Sequence, residues 1–158
     1  MRPTRDQYFA DMASLVARRS TCLRRNVGAV AVNARGHVLA TGYNGVPMGV
    51  SHCNDHDQFH ETGFPHACTA ANAASGTALD GCHAIHAEQN MLLQCRDPWD
   101  IHTVYCTASP CITCIKLLLN TSCERIVFLE EYPHPEARDL WVSIKGPTGW
   151  VNHGELMV

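Results

Sequence analysis

Two short fragments, His86-Ala87-Glu88 and Pro110-Cys111-Ile112-Thr113-Cys114, constrain this 158-residue chain more than anything else in it. Each opens a helix-like pattern, and one strand-like run separates them. A histidine and two cysteines are three good zinc ligands, and three protein ligands leave a fourth position for water. Cys111 and Cys114 stand at i and i+3, on one helical face. Pro110 suits the start of a helix. Both thiols then fall in a first turn, where the helix dipole favours negative charge and a lower thiol pKa. Zinc(II) with two thiolates and a neutral imidazole sums to zero charge, which a partly buried cleft tolerates. Glu88, two residues beyond His86, is too close to share its helical face. It is an awkward further ligand, but it is well placed to contact a water in the open position. The alternative is a closed zinc clip joining two helices. Glu88 and the missing fourth ligand both argue against it.

The chain holds nine cysteines and ten histidines. Nine is odd, so a fully paired intrachain disulfide framework is impossible. The start, Met1-Arg2-Pro3-Thr4-Arg5-Asp6, is not an apolar secretory segment. The apolar run Ile112–Leu119 is short and interrupted, so no transmembrane helix is expected. Metal ligation and a cytoplasmic location are the expectations. With 46% hydrophobic and 17% charged residues, one folded domain over 1–158 is expected. A net charge of −3 argues against a globally basic nucleic-acid binder.

Periodicity places the two fragments in a framework. Thr4–Ser20 reads as an amphipathic helix with Thr4 as its N-cap and Tyr8, Met12, Leu15 and Val16 as its apolar stripe. Asn26–Asn33 and His37–Tyr43 read as strands joined through Ala34-Arg35-Gly36, an antiparallel hairpin. A Gly-, His-, Asp- and Asn-rich insertion without clean period follows, at about residues 46–83. Then come a helix at Ile85–Gln94, a strand at His102–Thr107, a helix at Cys111–Asn120 and a strand at Glu124–Leu129. The last two strands, joined by a helix, should be parallel. A short helix near Pro135–Val142 and a weak strand after Trp150 complete the chain. The expected fold class is α/β: three layers, with a mixed central sheet of hairpin plus parallel strands.

The pairing H-x-E…P-C-x-x-C is the signature of zinc-dependent nucleobase deaminases, in which the metal activates water and the glutamate shuttles protons. The run from Ser20 to Val30, Thr41-Gly42-Tyr43-Asn44-Gly45, His86-Ala87-Glu88-Gln89-Asn90, Tyr105-Cys106-Thr107-Ala108-Ser109-Pro110-Cys111-Ile112-Thr113-Cys114 and Glu130-Glu131-Tyr132 together resemble the deoxycytidylate (dCMP) deaminases of phages and bacteria. The resemblance covers roughly Tyr8–Tyr132, and it implies the three-layer cytidine deaminase fold. It also implies hydrolysis of dCMP to dUMP and ammonia, which supplies dUMP for thymidylate synthesis. Catalytic zinc would sit on His86, Cys111 and Cys114, with Glu88 as the proton shuttle. Asn44 would meet the deoxyribose hydroxyl, although a turn asparagine before Gly45 reads the same way. Arg24 or Arg25 would meet the 5′-phosphate, although a solvated helix end also explains them. Ser109 and Tyr132 are further substrate candidates, Tyr132 equally as a packing residue, and Ala87 lies between ligand and acid. The family also implies a homo-hexamer with dCTP activating and dTTP inhibiting, Mg2+ accompanying such a triphosphate, and Gly42, Tyr43, Asn44 and Gly45 in the regulatory element.

The resemblance further implies a second, structural zinc. Cys22, Cys53 and Cys82 are its first three candidates, with Cys68, His83 or His52 as the fourth. Ordinary buried thiols and surface histidines are the alternative. Cys95, Cys106 and Cys123 fall on apolar patterns and read as core thiols, and Trp99, Trp141 and Trp150 read as packing residues. Two other functions compete. One is a nucleic-acid-editing deaminase of the tRNA adenosine type, which would need a basic surface around the cleft. The other is a non-catalytic zinc-binding domain, against which an intact Glu88 counts.

Overall fold

Side-chain alternation along three strands decides the architecture. In the computed structural model, which describes residues 1–53, 73–74, 77 and 81–155, the elements are α1 (Arg5–Ala17), β1 (Gly28–Val32), β2 (Val38–Tyr43), α2 (Ala87–Gln94), β3 (Thr103–Ala108), α3 (Ile112–Leu119), β4 (Arg125–Glu130), α4 (Pro135–Lys145) and β5 (Trp150–Asn152). The sheet order is β2-β1-β3-β4-β5. β1 is antiparallel to β2 and β3, whereas β3, β4 and β5 run parallel. Ala29, Ala31, Val104, Cys106, Ile126 and Phe128 point to one side, into a core with Met91, Ile115, Leu118 and Trp141 of α2, α3 and α4. Val30, Val32, Tyr105 and Val127 point to the other, onto Phe9 and Ala13 of α1. These are the three layers expected, with the hairpin and the parallel crossover in place. The insertion expected at about residues 46–83 falls largely outside the described residues.

The stripe on α1 is corrected. Tyr8 and Leu15 are exposed, and Phe9, Ala10, Ala13 and Ala17 are buried. The reason is the closeness of α1 to β1. A Cβ on Gly28 would meet the Ala13 carbonyl oxygen and lie 2.6 Å from the Ala17 backbone nitrogen. Only the small residues Ala13 and Ala17 can face β1 so nearly, and Tyr8 and Leu15 turn outward, while Met12 and Val16 pack against the core as expected. Cys95, Cys106 and Cys123 are buried core thiols as expected, and burial pushes the Cys123 thiol up to about 12. Trp141 is fully buried, with its indole N–H donating to Gly149 O at 3.2 Å. Trp99 departs from expectation: it is 71% exposed.

The α1 start is tied to the sheet by a fork. Arg125 Nη1 and Nη2 donate to the two Asp6 carboxylate oxygens at 2.8 and 2.6 Å, and the Tyr105 hydroxyl donates to Asp6 Oδ1 at 2.8 Å. The Arg125 hydrogen bonds hold the Asp6 carboxyl below its ordinary value against the opposing effect of burial. A depressed carboxyl contributes stability that is present above the unfolded value of about 4 and lost as pH falls through the folded one. Asp6→Asn should therefore lower stability by about 1–3 kcal/mol at pH 7. Denaturant titrations should show its deficit against the parent chain narrowing as pH falls below about 4 and through the folded Asp6 value. A deficit that stays equal from about pH 7 to well below 4 would show that the charge is not what matters.

Candidate active site

The site is assembled from two helix starts. His86 is the N-cap of α2 and Cys111 the N-cap of α3, so Cys111 and Cys114 both belong to the first turn. Pro110 stands one residue ahead of the cap rather than inside the helix. Gln89 Oε1 accepts the His86 backbone N–H at 2.9 Å. Gly45 and Ile85 exchange both backbone hydrogen bonds, at 3.1 and 2.8 Å, and Asn90 Nδ2 donates to Tyr43 O at 2.8 Å. The start of α2 is thus pinned to the end of β2. Gly42 permits this, because a Cβ there would meet the Ala87 carbonyl oxygen and the Met91 nitrogen and lie 2.8 Å from Met91 Cα. Within one chain, Gly42, Tyr43 and Gly45 therefore seat the helix that carries His86 and Glu88.

His86 Nδ1 lies 3.3 Å from Cys111 Sγ and 3.5 Å from Cys114 Sγ. Among the described residues these three form the one group of three or more His, Cys, Asp or Glu able to hold a metal, with ligand atoms within 4.8 Å of one another. Ordinary zinc–sulfur and zinc–nitrogen lengths give a tetrahedral S···N edge of about 3.5 Å. The donor set therefore fits zinc in both spacing and chemistry. The Cys111 thiol is lowered to about 4, chiefly by the hydrogen bond from Cys114 and then by His86. The same bond pushes Cys114 up, and Cys111 raises His86. Protons shared among three such donors are those a divalent cation displaces on binding. Glu88, only 4% exposed, is not in the ligand group. Its Oε2 accepts from Cys114 Sγ at 3.5 Å, and burial raises its carboxyl pKa.

An open cavity leads to this group. Its lining includes every substrate candidate: Asn44, Arg24, Arg25, Ser109, Tyr132 and Ala87. Asn44 is also a brace. Its Oδ1 accepts the Val27 N–H at 2.8 Å and its Nδ2 donates to Arg25 O at 2.7 Å. An amide has two lone pairs and two N–H bonds, so one of each remains for a ligand. Arg24 Nη1 donates to Thr77 O at 2.9 Å, and Arg25 Nη2 to Glu130 Oε2 at 3.1 Å. Ser109 Oγ accepts the Tyr132 N–H at 2.6 Å. Val27, Ala84 and Ala108 form apolar wall that motif reading missed. Val27 alone carried a signal, as the residue leading into the first strand. Cys22 and Cys82, candidates for a second metal, also line this cavity. His52 Nδ1 lies 3.2 Å from Thr21 Oγ1, next to Cys22. Cys68 lies outside the described residues, and so does any ligand set built on it.

A model of the cytidine and deoxycytidylate deaminase zinc-binding region matches residues 3–130. The deoxycytidylate deaminase of Schizosaccharomyces pombe is 40% identical over 133 residues, covering 83% of this chain and 38% of that protein. The deoxycytidylate deaminase of Mycobacterium phage D29 is 37% identical over 131 residues, covering 82% of this chain and 98% of the phage protein. The chain thus spans well under half of the yeast relative and nearly all of the phage one. Among solved structures, the dCMP deaminase of cyanophage S-TIM5 in complex with dCMP and dUMP superposes with a TM-score of 0.63. Its identity is 25%, over 96% of this chain and 97% of that one.

The seating of α2 on Gly42 is open to a direct test. In Gly42→Ala, either β2 or α2 must shift, at a cost of about 1–3 kcal/mol. The variant should also retain less zinc after dialysis, because His86 moves with the helix. Unchanged denaturation midpoint and unchanged zinc content would show that the helix does not rest on this glycine.

Proposed function

The chain belongs to the cytidine and deoxycytidylate deaminase family, and we propose that it hydrolyses dCMP to dUMP and ammonia. The observation that carries this reading is a buried carboxylate beside a His/Cys/Cys group, at the inner end of a cavity that also holds two arginines. Zinc, held by His86, Cys111 and Cys114, supplies the Lewis acidity that makes water nucleophilic at neutral pH. The residues of the chain do the rest. Glu88, its pKa raised by burial, accepts a proton from the attacking water and delivers it to N3 as oxygen adds to C4. It then relays the second water proton to the exocyclic nitrogen, which leaves as ammonia. Val27, Ala87 and Ala108 offer apolar wall to a flat base. The remaining amide positions of Asn44 suit the deoxyribose hydroxyl, and Arg24, Arg25, Ser109 and Tyr132 suit the 5′-phosphate.

Finer features of the proposal follow the family. They are a homo-hexamer, dCTP activation and dTTP inhibition acting through Gly42–Gly45 with Mg2+ on the triphosphate, and a cytoplasmic role supplying dUMP for thymidylate synthesis. A structural zinc on Cys22, Cys53, Cys82 and either Cys68 or His83 belongs to the same proposal. Two of those thiols, Cys22 and Cys82, share the cavity wall.

Purified chain should release ammonia from dCMP, and Glu88→Gln should lower kcat by about 100- to 10,000-fold while its zinc content stays unchanged. RNA editing with dCMP inert would overturn the reading. Elemental analysis near two zinc per chain supports the structural site, and near one removes it. Sizing and assays with dCTP or dTTP test the hexamer and its regulation.

A further inference from the structure

The cavity rim holds an arrangement that deamination itself does not use. Arg25 Nη2 donates to Glu130 Oε2 at 3.1 Å, and the guanidinium carbon lies 5.4 Å from the centroid of the Tyr132 ring. The backbone around Arg25 is fixed as well, since Asn44 Nδ2 donates to its carbonyl at 2.7 Å. Glu130 ends β4 on a braced corner. Its carbonyl accepts the Ser109 N–H at 2.9 Å, and Ser109 Oγ accepts the Tyr132 N–H at 2.6 Å. Carboxylate and ring are thereby mounted on the segment that leads into Cys111.

The two charges differ in exposure. The Glu130 side chain is 76% exposed and that of Arg25 only 26%. The carboxylate sits on the water side, where screening makes the pair weak as a source of stability. The cation sits on the cavity side. A guanidinium has five donors, and Glu130 engages one nitrogen. The second hydrogen of Nη2, with the neighbouring N–H of the guanidinium, therefore remains for a bidentate contact with an oxyanion. Ordering a long side chain is a cost that binding otherwise meets, and prior orientation reduces it.

We propose that Glu130 is a positioning residue: it holds Arg25 against Tyr132 for the 5′-phosphate and so sets the preference for a nucleoside monophosphate over the nucleoside. The inference rests on reading the cavity as a dCMP site. It adds a residue that touches neither base nor metal ligands and acts through Arg25.

Steady-state kinetics on dCMP and deoxycytidine test it with the full chain and its Glu130→Ala, Glu130→Gln, Arg25→Ala and double Ala variants. Glu130→Ala should raise KM for dCMP about three- to tenfold, with kcat within about twofold and kcat/KM for deoxycytidine unmoved. Glu130→Gln keeps an acceptor and should recover part of the loss; it carries the same comparison if the alanine variant does not fold. In the Arg25→Ala background, Glu130→Ala should add nothing, a comparison that needs dCMP alone. Equal loss on both substrates, no change in KM, a fall in KM, or additive effects with Arg25→Ala would each overturn the proposal. A parent chain inert toward dCMP overturns the functional reading and this inference with it. An active parent with a KM indifferent to Glu130 overturns this inference alone.

Discussion

The convergence of two helix starts on one small volume governs the rest of the structure. His86 and Cys111 are both N-caps, and three ligand atoms from α2 and α3 lie within 4.8 Å. Two positive dipole ends there favour thiolates and a cation's counter-charge. Meeting so closely leaves little freedom elsewhere. The start of α2 is pinned to the end of β2 through the Gly45–Ile85 bridge and can approach β2 only over Gly42. The start of α3 must leave β3 beside β4, and the Ala108–Glu130 register places it there. The sheet order follows as the arrangement that keeps β1 between the two strands from which the site is built.

The same constraint organises the cavity. Five segments reach it from different parts of the chain: the run before β1, the end of β2, the start of α2, the run after β3 and the corner after β4. Polar contacts join several of them: Asn44 to Arg25 and Val27, Ser109 to Tyr132, Arg25 to Glu130. Hydrogen bonds of this kind contribute modestly to net stability but fix orientation. Residues that read in sequence as direct substrate contacts, Asn44 and Ser109, therefore also hold the frame in which the arginines stand.

The chemistry of the site was legible because its residues are also local-structure signals. A proline and cysteine before an apolar helical stripe, and a histidine before another, announce helix starts and ligands together. The strands were legible from short β-branched runs whose alternation survives in the two cores. The packing of α1 was legible only in part: Met12 and Val16 pack on the core as read, but Tyr8 and Leu15 do not. Tyr8 and Leu15 dominate any reading of the helix alone, whereas Gly28, eleven residues beyond its end, decides which face is buried. Glu130 was legible only as part of a family-like run, since nothing local joins it to Arg25, 105 positions earlier. Ala84 and Ala108 carry no chemistry of their own and gain meaning only as cavity wall. The histidine- and cysteine-rich insertion has no period to read.

Whole-chain charge misleads about what such a cavity can hold. At −3 the chain is weakly acidic, yet its charges are sorted by depth. The inner end combines donors whose sum with zinc is neutral and a carboxylate whose pKa burial raises. That environment suits an uncharged ring, because no uncompensated ion has to be desolvated against it. Arg24 and Arg25 line the cavity as well, and Arg25 is paired with the largely exposed Glu130, where water screens the pair. A ligand with a neutral base at one end and a dianionic phosphate at the other matches that gradient along its length. Local arrangement, not net charge, determines the field that a substrate meets.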